Sequence, residues 1–178
     1  MNSTNDVAIT LINKNNLKPT LVSTLIQKKG RGTMGKRWIS QKGNLFISIF
    51  FEINPKKINF KQFAILNAHL IKKVISNYTS EKINIKWPND LLIKKKKVCG
   101  ILQETIDYKN KKFLIIGVGL NTISSPNIKN YKTVSLNNMS KKNINNDTIL
   151  KDIKKAYENL IFKIEKYQFS YLKKNLKN

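Results

Sequence analysis

KWPNDLLIKKKKVCGILQE, residues 86–104, is the segment from which the fold of this chain is most readily predicted. Two apolar runs, 91–93 and 98–106, flank four consecutive lysines at 94–97. Apolar runs of strand length on either side of a short polar turn are typical of a β-hairpin. The segment therefore predicts two antiparallel strands with the lysines at their turn.

The polar residues of this segment are candidates for chemistry. Asn89 and Asp90 follow a proline that restricts the backbone at the end of a short strand, and Asp90 is one of only ten acidic residues. Lys97 is the last lysine of the run and lies close to Gly100. A run of like charges is ordinarily a solvated turn. Spacing alone therefore does not distinguish Lys97 from its three neighbours.

The hydrophobic pattern predicts one domain of mixed helices and strands. Spacings of three and four between apolar residues indicate helices, and short apolar runs indicate strands. The predicted helices are 4–12, 60–78 and 148–167. The further predicted strands are 20–26, 44–52, 83–86 and 113–120. The polar segment 121–146 is predicted to be mostly loop, and the basic C-terminal tail is predicted to be frayed.

Composition excludes several classes of protein. The 178 residues, 40% of them hydrophobic, suffice for one folded domain. No apolar run approaches the ~20 residues of a membrane span, and the first residues lack the pattern of a signal peptide. One cysteine and one histidine argue against a disulfide framework and a zinc site. We therefore expect a cytoplasmic protein without a membrane partner.

The net charge of +24 has two interpretations. It is the footprint expected of a nucleic-acid-binding module. The lysines, however, are spread along the whole chain among asparagine and isoleucine, which favours a solvated surface. Arginine is scarce, and both arginines, Arg31 and Arg37, lie in one segment.

That segment is GRGTMGKRW, residues 30–38, which also holds three of the seven glycines. Glycine permits mobility and close approach of backbone to a ligand. The planar guanidinium of arginine binds anionic oxygens through several donors. The segment therefore predicts a mobile loop, the glycine loop, that closes over a small anionic ligand.

Further glycines, Gly100, Gly117 and Gly119, interrupt predicted strands. Glycine weakens a strand unless a ligand or another segment must approach closely, so these strands are predicted to line a cavity. Bulges or tight strand packing are the alternative explanation. The segment IIGVGLN, 115–121, ends in an amide that can donate and accept, but it is not a GxGxxG fingerprint.

Five motifs in register resemble one family. They are STND (3–6), Q-x-x-GRG-x-x-G-K-x-W (27–38), KWPND (86–90), K-x-x-GIL-x-E (97–104) and IGVGLN (116–121). Together they resemble the catalytic domain of biotin protein ligases, also called biotin–[acetyl-CoA-carboxylase] ligases. The resemblance implies an α+β fold of the biotin/lipoate protein ligase type, similar to class II aminoacyl-tRNA synthetases. Its centre would be a mixed, mainly antiparallel β-sheet flanked by helices.

The resemblance implies a ligase that uses ATP, biotin and Mg²⁺ for protein modification. Such an enzyme makes biotinyl-5′-AMP and passes the biotinyl group to a lysine of the biotin carboxyl carrier protein of acetyl-CoA carboxylase. Because two anions must meet, fixed cations and N–H donors are required, and a loop must keep water from the adenylate.

The resemblance also bears on domains and partners. We expect residues 1–178 to form a single catalytic domain, with no N-terminal DNA-binding domain and without the small C-terminal β domain of relatives. DNA is therefore not an expected partner. Pairing of two subunits through an edge strand, as in relatives, would give a homodimer.

Motif matching also implies site residues. Those implied to bind biotin are Ser3, Thr4, Asn5, Gln27, Gly30, Arg31, Gly32, Thr33, Lys97, Gly100, Leu102 and Gly117. Those implied to bind ATP are Lys36, Trp38, Asn89, Asp90, Lys97 and Asn121. Lys97, Arg31 and Asp90 are the implied catalytic residues, with Asp90 also the candidate Mg²⁺ ligand. The resemblance thus selects Lys97 from the lysine run.

The chain departs from the family pattern at three positions. Thr33 and Lys36 stand where the loop commonly has arginine. The missing guanidinium at Thr33 is expected to weaken retention of the intermediate unless Arg37 or Lys36 compensates. Cys99 stands where alanine is common, and an acyl-thioester role is the alternative to a small core residue.

Two other functions remain as alternatives. A lipoate ligase or octanoyltransferase would share the fold, but the chain has no RR-x-x-GG segment. A nucleic-acid-binding module would interleave basic residues with exposed aromatic rings. Most aromatic residues are instead predicted to lie in buried stripes.

Overall fold

A computed structural model describes residues 1–141 and 143–177 as one six-stranded sheet with helices on both faces. The helices are α1 (Thr4–Asn13), α2 (Phe60–Ile75), α3 (Asn146–Ile164) and α4 (Phe169–Lys177). The strands are β1 (Thr20–Thr24), β2 (Leu45–Ile53), β3 (Ile83–Lys86), β4 (Asp90–Ile93), β5 (Lys96–Tyr108) and β6 (Lys111–Leu120). The strand order is β1-β2-β6-β5-β4-β3, and neighbouring strands are antiparallel. The predicted α+β class and mainly antiparallel sheet are confirmed.

The two faces of the sheet carry different cores, because successive strand residues point to opposite sides. On one face, helices α2, α3 and α4 cover a large cluster that includes Ile47 and Ile116. On the other face, α1 packs through Ala8 and Ile12 against a smaller cluster that includes Phe50. Complete burial of a side chain such as Ile12 stabilises the fold by roughly 1.5–3 kcal/mol. The α1 face leaves part of the central strands uncovered by helix.

The predicted hairpin is confirmed, but its turn is shorter than expected. Only Lys94 and Lys95 form the turn, with φ of 48° and 64°, whereas Lys96 and Lys97 belong to β5. Two consecutive residues in the left-handed region match the right-handed twist of the strands they connect. Lys97 therefore lies in a strand and not at a solvated turn.

Several predicted boundaries differ from the structure. Helix α2 begins after Asn59, whose side chain forms a capping box with Gln62, and it gives way to a 3-10 turn after Ile75. The frayed tail was a wrong prediction, because α4 forms there and Leu172 is buried against the core. The described part of 121–146 is mostly loop, as predicted, while Lys142 lies outside the described residues. Within the described chain, no helix combines the length and the apolar character needed to cross a membrane.

Candidate active site

The motifs meet in one cavity of about 510 Å³ on the α1 face of the sheet. Glycines of β5 and β6 form its floor, and the glycine loop lies over them. All the site residues predicted from the sequence line this cavity except Gly30 and Asn121. The expectation that Gly100, Gly117 and Gly119 mark a cavity is confirmed, since all three are lining residues.

One end of the cavity is a buried set of polar side chains at the start of α1. Ser3 caps the helix by accepting a hydrogen bond from the Asn5 backbone N–H at 3.2 Å. The Thr4 N–H donates to Gln27 Oε1 at 2.9 Å, which ties the helix to the chain just before the glycine loop. The hydroxyl of buried Ser48 lies within hydrogen-bond distance of Thr4 Oγ1 and of Asn5 Oδ1. This end therefore offers fixed donors and acceptors to a polar ligand group.

Glu104 links this polar end to the glycine loop. Its carboxylate accepts a hydrogen bond from Asn5 Nδ2 at 2.7 Å and another from Arg31 at 2.6 Å. Arg31 Nε lies 3.1 Å from Asp6 as well, so two carboxylates hold one guanidinium. Arg31 was predicted to lie along biotin, and it does line the cavity, but its partners here are these two acids. Charge-assisted hydrogen bonds of this kind fix geometry as well as adding stability.

The glycines of the floor make room for particular side chains. A Cβ on Gly100 would come to 2.5 Å from the indole of Trp38, and one on Gly119 to 2.7 Å from its Nε1. Only glycine therefore lets the indole lie flat against the two strands. Trp38 Nε1 is buried and has no hydrogen-bond partner in the described residues. The indole N–H is thus a buried donor that no described residue satisfies.

The other end of the cavity centres on Lys97. Its Nζ lies 2.7 Å from Asp90 Oδ1, and the two side chains are 15% and 20% exposed. The rings of Trp38 and Tyr131 lie 5.1 Å and 5.4 Å from the same ammonium. Burial of this order strengthens the charge interaction compared with water. The arrangement holds a cation with an open approach from the cavity.

A β-bulge explains why Lys97 points into the cavity. Leu91 pairs with Cys99, whereas Leu92 pairs with Lys97, so Val98 is an extra residue in β5. Val98 and Cys99 both pack in the core cluster. The alternation of side chains between the two faces of β5 is therefore shifted by one residue at Val98. A shift of one residue exchanges the faces of a strand. Lys97 and Gly100 consequently share the cavity face.

The glycine loop also contacts the KWPND segment. Asn89 Nδ2 donates to the Ile101 carbonyl at 3.2 Å and lies 3.4 Å from Thr33 Oγ1. The Thr33 hydroxyl therefore contacts Asn89, at a position where the family pattern has a guanidinium. Lys36 and Arg37 line the cavity from the same loop, so two cations lie near the position of the missing guanidinium.

Several lining residues were not predicted from the sequence. Lys86 is the first residue of the KWPND motif and lines the cavity. Its charge was the only feature of the sequence that could have indicated a place in the site. Tyr131 and Lys132 come from the segment predicted to be plain loop. Hydrogen bonds from the Lys97 N–H to the Lys132 carbonyl and from the Val134 N–H to the Lys97 carbonyl, both 2.9 Å, place them there. No periodicity in the sequence indicated this pairing.

Two predicted site residues lie elsewhere. Asn121 is buried beneath the cavity, and its Nδ2 donates to the Val134 carbonyl at 3.3 Å. Its Oδ1 has no hydrogen-bond partner in the described residues. Gly30 borders a second cavity beside the glycine loop.

Cys99 is fully buried in the core cluster. Burial raises the pKa of its thiol well above the ordinary value, although the nearby Lys97 charge acts in the opposite direction. A thiol that is neutral and buried is a poor nucleophile. The structure therefore supports the small core residue over the acyl-thioester role.

Comparison with known proteins gives concordant matches. A family model described as the biotin/lipoate A/B protein ligase family matches residues 1–121. The chain is 35% identical over 129 residues to the bifunctional ligase/repressor BirA of Bacillus subtilis (strain 168), covering 71% of this chain and 40% of that protein. It is 36% identical over 104 residues to biotin–protein ligase 2 of Arabidopsis thaliana, covering 54% of this chain and 31% of that protein. The chain thus spans two fifths or less of the length of these relatives.

Solved structures resemble the whole described chain. The biotin protein ligase from Aquifex aeolicus in complex with biotin and ATP gives a TM-score of 0.78 at 30% identity, covering 98% of this chain and 73% of that chain. The biotin protein ligase from Leishmania major in complex with biotinyl-5-AMP gives a TM-score of 0.80 at 20% identity, covering 98% of this chain and 76% of that chain. At 20% identity the second likeness concerns the fold alone.

Proposed function

This chain belongs to the biotin/lipoate A/B protein ligase family, and from that premise we propose that it is an ATP-dependent biotin protein ligase. Its substrates would be biotin and ATP, and its acceptor would be a lysine of the biotin carboxyl carrier protein of acetyl-CoA carboxylase. We propose that residues 1–178 act as one catalytic domain in the cytoplasm. The observation that carries this proposal is the cavity, which joins a buried polar end to the partly buried Lys97.

The polar end favours biotin over lipoate. A cyclic urea offers two N–H donors and a carbonyl acceptor, which suit the hydroxyls and amides of Ser3, Asn5 and Gln27. The dithiolane ring of lipoate has only weak sulfur acceptors and would form few hydrogen bonds with these groups. Sites built from hydrogen-bonding groups discriminate strongly against ligands that lack the partner groups.

In the first step, a biotin carboxylate oxygen forms a bond to the α-phosphorus of ATP, and the bond from that phosphorus to the pyrophosphate oxygen breaks. Lys97 would lower the repulsion between the two anions, and Asp90 would hold its ammonium in place. Mg²⁺ bound with the nucleotide would neutralise phosphate charge, and Asp90 fits as its one protein carboxylate, since phosphates and waters commonly complete such a shell. The described residues contain no cluster of three His, Cys, Asp or Glu that would hold a metal without the nucleotide.

In the second step, the acceptor lysine amine attacks the carbonyl carbon of the adenylate. A C–N bond forms, the C–O bond to AMP breaks, and the amine gives up a proton. The glycine loop would cover the adenylate meanwhile and exclude water. Trp38 and Tyr131 supply aromatic surface on the nucleotide side of the cavity.

The decisive test of this function is a direct assay. Purified protein is mixed with ATP, Mg²⁺ and a carrier domain, together with either biotin or lipoate, and the carrier is weighed by mass spectrometry. We expect the mass of one biotinyl group to be added only in the biotin sample. Addition of lipoate, or no addition from either acid, would overturn the proposal.

A first mutational prediction concerns Glu104, which we assign as a positioning residue. In Glu104→Gln, a neutral amide replaces the carboxylate that accepts from both Asn5 and Arg31. We expect the KM for biotin to rise by about tenfold with kcat changed by less than about threefold, since charge-assisted bonds at partly exposed sites are of modest strength. Steady-state exchange of pyrophosphate into ATP at varied biotin measures both constants.

The matched control is Glu81→Gln, which removes an ion pair to Lys94 outside the cavity. It should leave both constants unchanged. An equal effect of the two variants, or a lower kcat with an unchanged KM in Glu104→Gln, would contradict the positioning role.

A further inference from the structure

A second cavity of about 630 Å³ lies against the glycine loop. It shares six of its eleven lining residues with the first cavity, so the two cavities adjoin along the glycine loop: Arg31, Gly32, Met34, Lys36, Arg37 and Leu102. The walls that belong to the second cavity alone come from Lys28 and Lys29, from Gly30 and Gly35 of the loop, and from Glu104 in β5. Lys28 and Lys29 have no part in the reaction proposed above.

The charge of this second cavity is not explained by the basic composition of the whole chain. Five of its eleven lining residues are cationic, against 34 lysines and arginines among all 178 residues. Both arginines of the chain are among them. Its one acidic residue, Glu104, is already engaged by Arg31 at 2.6 Å. The side chains of Lys28 and Lys29 have no carboxylate partner in the described part of the chain.

Apolar side chains accompany these cations. Met34, in the middle of the loop, is 91% exposed and has a φ of 56°. Leu25 and Ile26, just before Lys28, are 63% and 49% exposed. A surface that combines exposed apolar groups with unpaired charge of one sign is typical of a protein-binding site.

We propose that this surface, formed by Leu25, Ile26, Lys28, Lys29 and Met34 with the second cavity, docks an acidic face of the acceptor domain. The inference rests on the proposed ligase function and names the place where its protein substrate binds. An acceptor bound here would lie beside the first cavity, into which its lysine must reach. Contact with the loop would also hold it over the adenylate.

Charge and composition favour this occupant over two others. A second copy of this chain carries the same net charge of +24 and would be repelled from the cations. A single-stranded nucleic acid would require aromatic rings for base stacking. None of the residues lining the second cavity is aromatic.

The test is the double variant Lys28→Glu/Lys29→Glu, compared with Lys151→Glu/Lys155→Glu on the exposed side of α3. Both pairs are exposed and change the net charge equally. Two reactions are measured at low and high salt: biotin-dependent pyrophosphate exchange without carrier, and biotin transfer to an acidic carrier domain. We expect the Lys28/Lys29 variant to lose about tenfold in kcat/KM for the carrier at low salt, with a flattened salt dependence. Its exchange rate should stay within about twofold of wild type.

Each remaining outcome has a defined meaning. Equal loss in both double variants would show an effect of net charge and overturn the docking surface, as would unchanged transfer in the Lys28/Lys29 variant. Loss of single-stranded oligonucleotide binding with carrier transfer unchanged would identify a nucleic-acid surface instead. Absence of exchange and transfer in the wild-type protein would overturn the ligase function, and with it this inference.

Discussion

The Lys97→Ala variant is expected to lose biotin-dependent exchange of pyrophosphate into ATP by roughly a hundredfold to a thousandfold while remaining folded. Lys97 is the cation that the β-bulge turns into the cavity, and Asp90 holds its Nζ at 2.7 Å. Removal of one preorganised charge from a water-poor site costs roughly 3–4 kcal/mol in the transition state. Isotope exchange at saturating substrates measures the loss, and thermal unfolding measures the stability.

Lys96→Ala is the matched control, because Lys96 is the adjacent lysine of the same run and does not line the cavity. Its exchange rate should equal that of the wild type. The Lys97→Arg variant keeps a positive charge beside Asp90 and tests whether charge alone suffices. Normal exchange in Lys97→Ala would remove Lys97 from the mechanism.

The second large effect is expected from Gly117→Ala, with a rise of about a hundredfold in the KM for biotin. A Cβ at this position would come to 3.1 Å from Asn5 Cγ and closer still to Oδ1. Asn5 has no room to yield, because Ser48 and Glu104 hold its two amide atoms. Displacement of a buried hydrogen-bonding group costs a few kcal/mol, which corresponds to this change in affinity.

The control for this prediction is the Asn5→Ala background. Once the amide is gone, adding alanine at position 117 should change the KM little further, so the two effects should be strongly non-additive. Alanine favours a strand more than glycine does, so β6 should not be weakened. Additive effects, or normal biotin binding by Gly117→Ala, would contradict the position of Asn5 above Gly117.

The sequence was most informative where a residue type is rare in the chain. Glycines at 100, 117 and 119 predicted a cavity, and the side chains of Trp38 and Asn5 that fill the space above them explain why no larger residue fits. The reactive lysine, in contrast, could not be identified within the lysine run from the sequence. Its composition left four candidates, because the bulge at Val98 that selects Lys97 depends on strand pairing and on the core.

Contacts between distant segments were not predictable. Glu104 lies 99 residues from Asn5 and 73 from Arg31, and nothing in its local sequence indicated either partner. Tyr131 reaches the cavity because a loop adds to the start of β5 through backbone hydrogen bonds, which leave no side-chain pattern. Helix α4 was missed because it is short and its three core-facing residues, Phe169, Leu172 and Leu176, are matched by three lysines.

Both tryptophans of the chain, Trp38 and Trp87, line the first cavity, one against the sheet and the other 51% exposed at its rim. All indole emission from this protein therefore originates at one place. Occupancy of the cavity can consequently be followed by intrinsic fluorescence in the unlabelled protein, with Trp87→Phe isolating the signal of the residue against the floor.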